Sequence, residues 1–184
     1  MSENVNYDEQ QEKKLDEFLK IIYRNNLDFS KPDLVLNKLL EIYEKTNYPG
    51  ILYRIGNLYE FGFFKKLKED KSIHYYELAS NKGYVAAMNR LAEIELKNTN
   101  THKYKYIKWA IKSADEYHDP YGKYLLAKYY LISGIFEDPM KEYFKKGIQF
   151  MKESAKLGCK DAQEYIDMMW GKRCIHYNLT IMKN

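Results

Sequence analysis

Residues 71–83 read KSIHYYELASNKG, and the same order of residue types returns twice further along the chain. It returns as KYIKWAIKSADEY at 105–117 and as KGIQFMKESAKLG at 146–158. Each block has a lysine, an isoleucine two residues later, an aromatic residue two after that, and a pair of small residues beginning four positions further on. The spacing from the aromatic residue to the small pair places them on one face of an α-helix. The blocks begin 34 and 41 residues apart and therefore predict a repeated helix.

A second motif alternates with these blocks and predicts the other helix of each repeat. It joins a large aliphatic residue to a small or short one, at Ile55-Gly56, Leu91-Ala92, Leu126-Ala127 and Ile166-Asp167. Its intervals are 36, 35 and 40 residues. A period of this length built from two helices is typical of helical solenoids. Small residues let antiparallel helices approach closely, and stacking of successive pairs buries the apolar face that one pair would leave exposed.

Proline and glycine mark the predicted helix ends. All four prolines stand at a predicted helix start, where their fixed φ is favourable: Pro32, Pro49, Pro120 and Pro139. Gly83 and Gly158 follow helical runs, where a left-handed cap is expected. Apart from a weak alternation at 175–181, the pattern predicts an all-α chain. The predicted helices span 8–24, 33–46, 50–62, 70–82, 85–97, 103–116, 120–133, 140–157 and 161–170.

The combined pattern resembles the Sel1-like repeat, a relative of the tetratricopeptide repeat. That motif reads roughly LGxxYxxG, a variable loop, and then KAxxWYxxAAxxGxxxA. Its first half is similar to IGNLYEFG at residues 55–62, and its second half to YYELASNKGYVAA at 75–87 and FMKESAKLGCKDAQ at 150–163. The resemblance covers about residues 50–171. It implies an α-solenoid, a right-handed superhelix of antiparallel helix pairs.

The middle repeat departs from this motif. Glu95 stands where the motif has tyrosine, and Tyr117 stands where it has a helix-ending glycine, with one extra residue before Gly122. The chain is therefore expected to contain three parts. Residues 1–48 form a divergent N-terminal helical cap, residues 49–171 about three repeats, and residues 172–184 a C-terminal tail.

Composition limits the class of protein. With 184 residues, 45% of them hydrophobic, the chain is about one domain with its own core. No apolar run is long enough to span a membrane and no secretory signal begins the sequence, so we expect a cytoplasmic protein. The two cysteines, Cys159 and Cys174, favour free thiols over a disulfide framework. The net charge of +4 comes from interspersed signs, which makes a nucleic-acid partner unlikely by composition.

Residue patterns of catalysis are absent from the sequence. None of the four histidines, His74, His102, His118 and His176, stands at ligand spacing from another histidine or a cysteine. No glycine-rich phosphate loop or nucleophile elbow occurs. We therefore expect a non-enzymatic protein with no catalytic residue, no metal and no cofactor. The resemblance implies the same, because Sel1-like proteins act as adaptors. Hydrolase activity has been suggested only for some cysteine-rich relatives, and this chain lacks the cysteine pairs of those relatives.

A partner-binding surface is predicted from the first helices of successive repeats, which line the concave face of such a stack. Positions two before and two after the motif aliphatic residue share one helix face. Together with one further tyrosine, they give the predicted partner-binding residues Tyr53, Asn57, Asn89, Glu93, Tyr121, Tyr124, Lys128, Glu164 and Met168. Tyrosine offers contact area and a hydroxyl at low entropic cost, which suits recognition of a protein or peptide. The same positions also fit ordinary solvated helix faces.

Other aromatic residues occupy positions expected to pack in the core: Tyr59, Tyr75, Trp109, Tyr130, Phe150 and Trp170. The sequence thus predicts an adaptor or scaffold that binds a protein or peptide, with the partner and the oligomeric state left open. The alternative is binding of single-stranded nucleic acid through tyrosine stacking and basic loops. The lysines and arginine of those loops are Lys65, Lys66, Lys68, Lys172 and Arg173.

Overall fold

The computed structural model describes residues 31–63, 69–97, 107–133 and 140–170, together with three isolated helical positions, Lys13, Glu17 and Lys20. Within these ranges all regular secondary structure is α-helical and no strand occurs, which confirms the all-α prediction. The helices are α1 (Pro32–Thr46), α2 (Pro49–Glu60), α3 (Glu69–Asn81), α4 (Val85–Lys97), α5 (Ile107–Asp115), α6 (Pro120–Ser133), α7 (Met140–Lys156) and α8 (Lys160–Trp170).

The predicted helix boundaries hold to within a few residues. Pro32, Pro49 and Pro120 are the first residues of α1, α2 and α6, where the missing backbone N–H costs no intrahelical bond. Pro139 lies outside the described residues. So do most of the predicted helix 8–24 and all of the 172–184 tail, including the alternation at 175–181.

Three helices end in the same way, which gives the sequence repeat a structural counterpart. The helices α3, α5 and α7 each end two residues before their sequence block does. In the first and third blocks the turn passes through Gly83 at φ 85° and Gly158 at φ 94°. After the middle block the left-handed residue is His118, directly behind Tyr117, at φ 52°. The extra residue after Tyr117 therefore takes over the turn that glycine makes elsewhere.

The turn that follows each of these helices makes one recurring hydrogen bond. The N–H of the residue before the next helix donates, over 3.1 Å in every case, to the carbonyl of the first small residue: Tyr84 to Ala79, Asp119 to Ser113 and Cys159 to Ser154. These three acceptor residues are fully buried. At Gly122 an added Cβ would clash with the Ser113 side chain, so α6 begins in close contact with α5. Small residues are required there because the helices touch.

The chain divides into two compact units, Met1–Leu91 and Ala92–Asn184, with the division inside α4. In the first unit α1 packs on α2, and α2 on α3. One cluster of its core joins α1 to α2 through Val35, Leu39, Ile51, Ile55 and Tyr59. Helix α1, the described part of the predicted N-terminal cap, thus shares its apolar face with the first predicted repeat.

The second unit has its own apolar core. Helix α6 packs on α5, α7 and α8, and α7 also packs on α8. One cluster contains Ala127, Leu131, Met151, Cys159 and Ala162. The Cys159 thiol is free and buried in this cluster, whereas Cys174 lies outside the described residues.

Within the described ranges, no helix is both long enough and apolar enough to cross a lipid bilayer.

Candidate partner-binding surface

In the first unit, Tyr53 lies between two other tyrosine rings. Its ring centroid is 5.6 Å from that of Tyr76 on α3 and 5.2 Å from that of Tyr84, which precedes α4. Tyr84 in turn meets the edge of Tyr48 at 6.3 Å. Tyr53 is only half-buried, so part of its ring remains open to solvent while the rest contributes to packing.

Asn57, one turn further along α2, belongs to a polar network. The hydroxyl of the fully buried Tyr76 lies 2.7 Å from Asn57 Oδ1 and 2.7 Å from Glu60 Oε2. A phenol has one proton, so it donates to one of these oxygens at a time. Burial, followed by the hydrogen bond to the Glu60 carboxylate, raises the pKa of Tyr76 far above its usual range. The side chain of Asn57 is therefore turned toward α3.

Glu60 also pairs with Arg90 of α4. Arg90 Nε donates to Glu60 Oε2 over 2.8 Å, and Arg90 Nη2 donates to Glu60 Oε1, giving a two-pronged contact. The guanidinium group also lies 5.8 Å from the ring centroid of Phe61, which is 73% exposed. Asn89, beside Arg90, is a predicted partner-binding residue, yet its exposed fraction is only 8%. Little of its side chain is available to a partner in this structure.

In the second unit the structure brings four predicted residues together. The hydroxyl of Tyr121 donates a 2.7 Å hydrogen bond to Glu93 Oε1 on α4. The rings of Tyr121 and Tyr124 lie 5.5 Å apart at a 36° tilt, and the Lys128 ammonium is 5.4 Å from the Tyr124 centroid. Tyr121, Tyr124 and Lys128 follow one another along α6 and are all partly exposed. We call Glu93, Tyr121, Tyr124 and Lys128 the tyrosine strip.

Carboxylates influence this strip electrostatically. Burial first, and then the Glu93 carboxylate, raises the pKa of Tyr121 well above its usual range. Burial also raises the pKa of Tyr124, with the Asp161 carboxylate as the next cause and Glu164 contributing further. Asp161 and Glu164 are exposed residues of α8. Glu164, a predicted residue, is therefore close enough to the strip to act on it electrostatically.

Met168 stands one helical turn beyond Glu164 and is 68% exposed. A methionine so exposed offers an adaptable apolar contact to a partner. The second unit thus presents two partly exposed tyrosines, one lysine, three carboxylates and one methionine.

The sequence did not predict several residues that interact with the predicted partner-binding residues. Glu60, Tyr76 and Arg90 form the network around Asn57, and the Asp161 carboxylate contributes to raising the pKa of both tyrosines of the strip. Glu60 and Arg90 are 30 residues apart, and no local spacing signals such a pair. The repeat register was the available signal, because both lie on first helices of successive predicted repeats.

Of the aromatic residues expected to pack in the core, Tyr59 and Trp109 are buried, whereas Tyr75, Tyr130 and Phe150 pack against other rings while partly exposed. Tyr59 stacks on Tyr75 at 5.7 Å and 9°, and Tyr130 stacks on Phe150 at 5.6 Å and 14°. Trp109 is 6% exposed. The side chain of Trp170 lies outside the described part of the structure.

The basic loop residues of the nucleic-acid alternative, within 65–68 and 172–173, lie outside the described residues. Among the residues that are described, no cluster of three or more histidine, cysteine, aspartate or glutamate side chains could hold a metal ion. No protein-family model matches this chain, and neither a curated protein nor a solved structure matches it.

Proposed function

We propose that this chain is a Sel1-like helical-repeat protein that binds a protein or peptide partner through its first helices and carries out no catalysis. The observation that carries the proposal is the tyrosine strip with Met168 beyond it, because partly exposed tyrosine rings and an exposed methionine suit recognition of a peptide.

The solenoid part of the proposal has separate support within each unit. The recurring turn bond from Tyr84 to Ala79 in one unit and from Cys159 to Ser154 in the other is the feature expected of one helix pair used repeatedly. The stacked pair Tyr59–Tyr75 and the stacked pair Tyr130–Phe150 occupy matching positions of the sequence repeat. An adaptor role follows from the resemblance, and it is part of the same proposal together with the cytoplasmic setting expected from the sequence.

The proposal is tested by peptide selection and mapping. The full chain is immobilised and challenged with a display library of random decapeptides, and the enriched peptides are then titrated into isotopically labelled protein. We expect amide resonances of the tyrosine strip, Glu164 and Met168 to shift most. Shifts confined to α1 or to the exposed side of α7 would contradict the proposed surface.

A matched pair of substitutions checks the mapping. Met168 is 68% exposed and Leu157 is 52% exposed, and both belong to the second unit. Because glutamine keeps the size of methionine but not its apolar character, Met168→Gln should weaken peptide binding by about 5-fold. Leu157→Gln, outside the predicted surface, should leave binding unchanged. Equal losses from both would count against the surface.

Nucleic acid serves as the competing ligand in the same assay. A labelled single-stranded oligothymidylate should bind at least ten-fold more weakly than the enriched peptides at physiological salt. Tighter binding of the oligonucleotide, with affinity falling steeply as salt rises, would replace the proposal with the alternative.

A further inference from the structure

We propose that the tyrosine strip recognises a cationic side chain, lysine or arginine, on the partner peptide. This inference rests on the proposed function and names the chemistry of the ligand that the surface takes. It concerns the second unit alone, and it stands on three arrangements: the paired rings, the carboxylates around them, and an internal ammonium that already uses one ring.

The paired rings provide aromatic surface for a cation. Tyr121 and Tyr124 stand 5.5 Å apart at a 36° tilt, and both are partly exposed. The face of a tyrosine ring carries negative potential, and it attracts ammonium and guanidinium groups to within about 6 Å of its centroid. Neutral apolar residues would also pack on these rings, so the choice of ligand depends on the charges nearby.

Those charges favour a positive ligand. Glu93 accepts the hydrogen bond of Tyr121, and Asp161 and Glu164 act on the tyrosine hydroxyls from α8. The positive groups to set against these three carboxylates are Lys128 on α6 and Lys160 at the start of α8, so this set of five side chains has one more negative charge than positive. The whole chain, by contrast, carries a net charge of +4. Affinity for a basic peptide would therefore report this local site and not a general attraction to the protein.

The side chain of Lys128 acts as an internal model of the ligand. Its ammonium lies 5.4 Å from the Tyr124 centroid, which is the geometry that a lysine of a partner would adopt. Lys128 also competes with that partner, because both cations would use the same ring and repel each other. An acidic partner would instead be attracted by Lys128 and repelled by the three carboxylates. Lys128 thus has opposite effects on the two classes of peptide.

The experiment uses the full chain and the decapeptide selection described above. We expect the enriched peptides to contain lysine or arginine at a fixed position, and we expect replacement of that residue by citrulline or acetyl-lysine to weaken binding about ten-fold. Lys128→Gln should tighten binding of the cationic peptides by about two- to five-fold, the value of one exposed cation–π contact. Asp161→Asn with Glu164→Gln should weaken it by a similar factor.

The matched control is Glu44→Gln with Asp115→Asn, which removes the same charge from exposed positions on α1 and α5. It should leave the affinity unchanged, and thermal melting of each variant checks that it remains folded. Enrichment of acidic or uncharged peptides, or weaker binding after Lys128→Gln, would overturn the inference while leaving the proposed function intact. If no peptide is enriched at all, both the inference and the proposed function fail.

Discussion

Arg90 and Glu60, 30 residues apart, meet in a two-pronged ion pair that joins α4 to α2. Their side chains are only 18% and 22% exposed, and the same carboxylate faces the buried Tyr76 hydroxyl. Two other ion pairs of the first unit differ from it, because each lies within one helix and is more exposed. Lys38 and Lys45 pair with Glu41 along the outside of α1, and more than a third of each of these side chains is exposed.

Removal of Arg90 should destabilise the protein measurably. Arg90→Met keeps most of the aliphatic stem but leaves the Glu60 charge in a largely buried place without its partner. We expect a loss of about 2 kcal/mol in the free energy of unfolding, below the full cost of breaking a completely buried pair because water still reaches both groups. Urea denaturation followed by circular dichroism measures the loss.

The control for Arg90 is Lys38→Met, which breaks an exposed pair and should produce no measurable change. A double-mutant cycle with Glu60→Gln isolates the pairwise energy. A result in which Arg90→Met and Lys38→Met cost the same would show that burial does not strengthen the Glu60 pair.

An aromatic residue at position 95, in the middle repeat, should raise the stability of the protein. In the flanking repeats a tyrosine of the first helix stacks on an aromatic residue of the second, as Tyr59 does on Tyr75. The corresponding residues in the middle repeat are Glu95 and Trp109. Because an aromatic pair contributes beyond its buried area, Glu95→Tyr should raise the free energy of unfolding by about 1 kcal/mol, or the melting temperature by about 2–4 °C.

The control is Glu95→Gln, which removes the charge of Glu95 without adding a ring. It separates the effect of losing the charge on stability from the effect of gaining the aromatic ring. Scanning calorimetry of the two variants gives the comparison. If Glu95→Tyr melts no higher than Glu95→Gln, the positions that stack in the flanking repeats are not equivalent in the middle one.

Glycine at position 118 should make the folded protein more stable than histidine does. His118 is exposed and has φ 52°, a left-handed conformation that costs a side-chain-bearing residue about 1–2 kcal/mol. Glycine relieves that cost but adds freedom to the unfolded chain, worth about 0.4–1 kcal/mol. We therefore expect His118→Gly to stabilise the protein by about 0.5–1 kcal/mol, measured by urea denaturation.

His74→Gly is the matched comparison, because His74 is also exposed but lies inside α3. That substitution should destabilise, since glycine is a poor helix former. Stabilisation of both variants, or of neither, would mean that the backbone conformation at 118 is not the source of the effect.

Stability should fall in alkali because of two tyrosines. Burial and a carboxylate partner raise the pKa of Tyr76 and of Tyr121 in the folded state well above the ordinary value of 10.0. Above pH 10 the unfolded chain therefore releases protons that the folded chain retains. Stability from these groups is fully present below that pH and is lost progressively as pH rises above it.

The measurement combines urea denaturation between pH 8 and pH 11 with the tyrosinate absorbance of the folded protein. Tyr76→Phe with Tyr121→Phe should flatten the decline with pH, because neither replacement can ionise. The comparison is Tyr43→Phe. Tyr43 is half-buried, and among the described contacts no carboxylate accepts a hydrogen bond from it, unlike Tyr76 and Tyr121. A slope unchanged by the double replacement would refute the assignment.

Helix positions in this chain could be predicted closely because their signals are local. Proline at Pro32, Pro49 and Pro120 and glycine at Gly83 and Gly158 act on their own backbone, and the spacing of apolar residues within each helix defines its buried face. The one unexpected turn, at His118, depends on a single inserted residue. Sequence indicated the insertion but could not indicate which residue would take the left-handed conformation.

The candidate surface could be predicted only in part. Position within the repeat predicted Tyr124 and Lys128, with Tyr121 as one further tyrosine of the same helix, and the structure brings these three residues together. Position within the repeat did not predict that Asn89 is almost fully buried. Burial depends on which distant helices cover a face, and the sequence pattern of one helix is the same whether or not it is covered.

For the ranges that the structure describes, the sequence alone therefore determined that the chain is helical, where the helices begin and end to within a few residues, and which small and aromatic residues pack between them. Only the tertiary structure decided which side chains on the predicted face are engaged: Tyr53 between two rings, Asn57 beside the Tyr76 hydroxyl, and Tyr121 on Glu93. The physical reason is range. Backbone preferences act over a few neighbouring residues, whereas hydrogen bonds, ion pairs and ring contacts form between groups that lie far apart in the chain and meet only after it has folded.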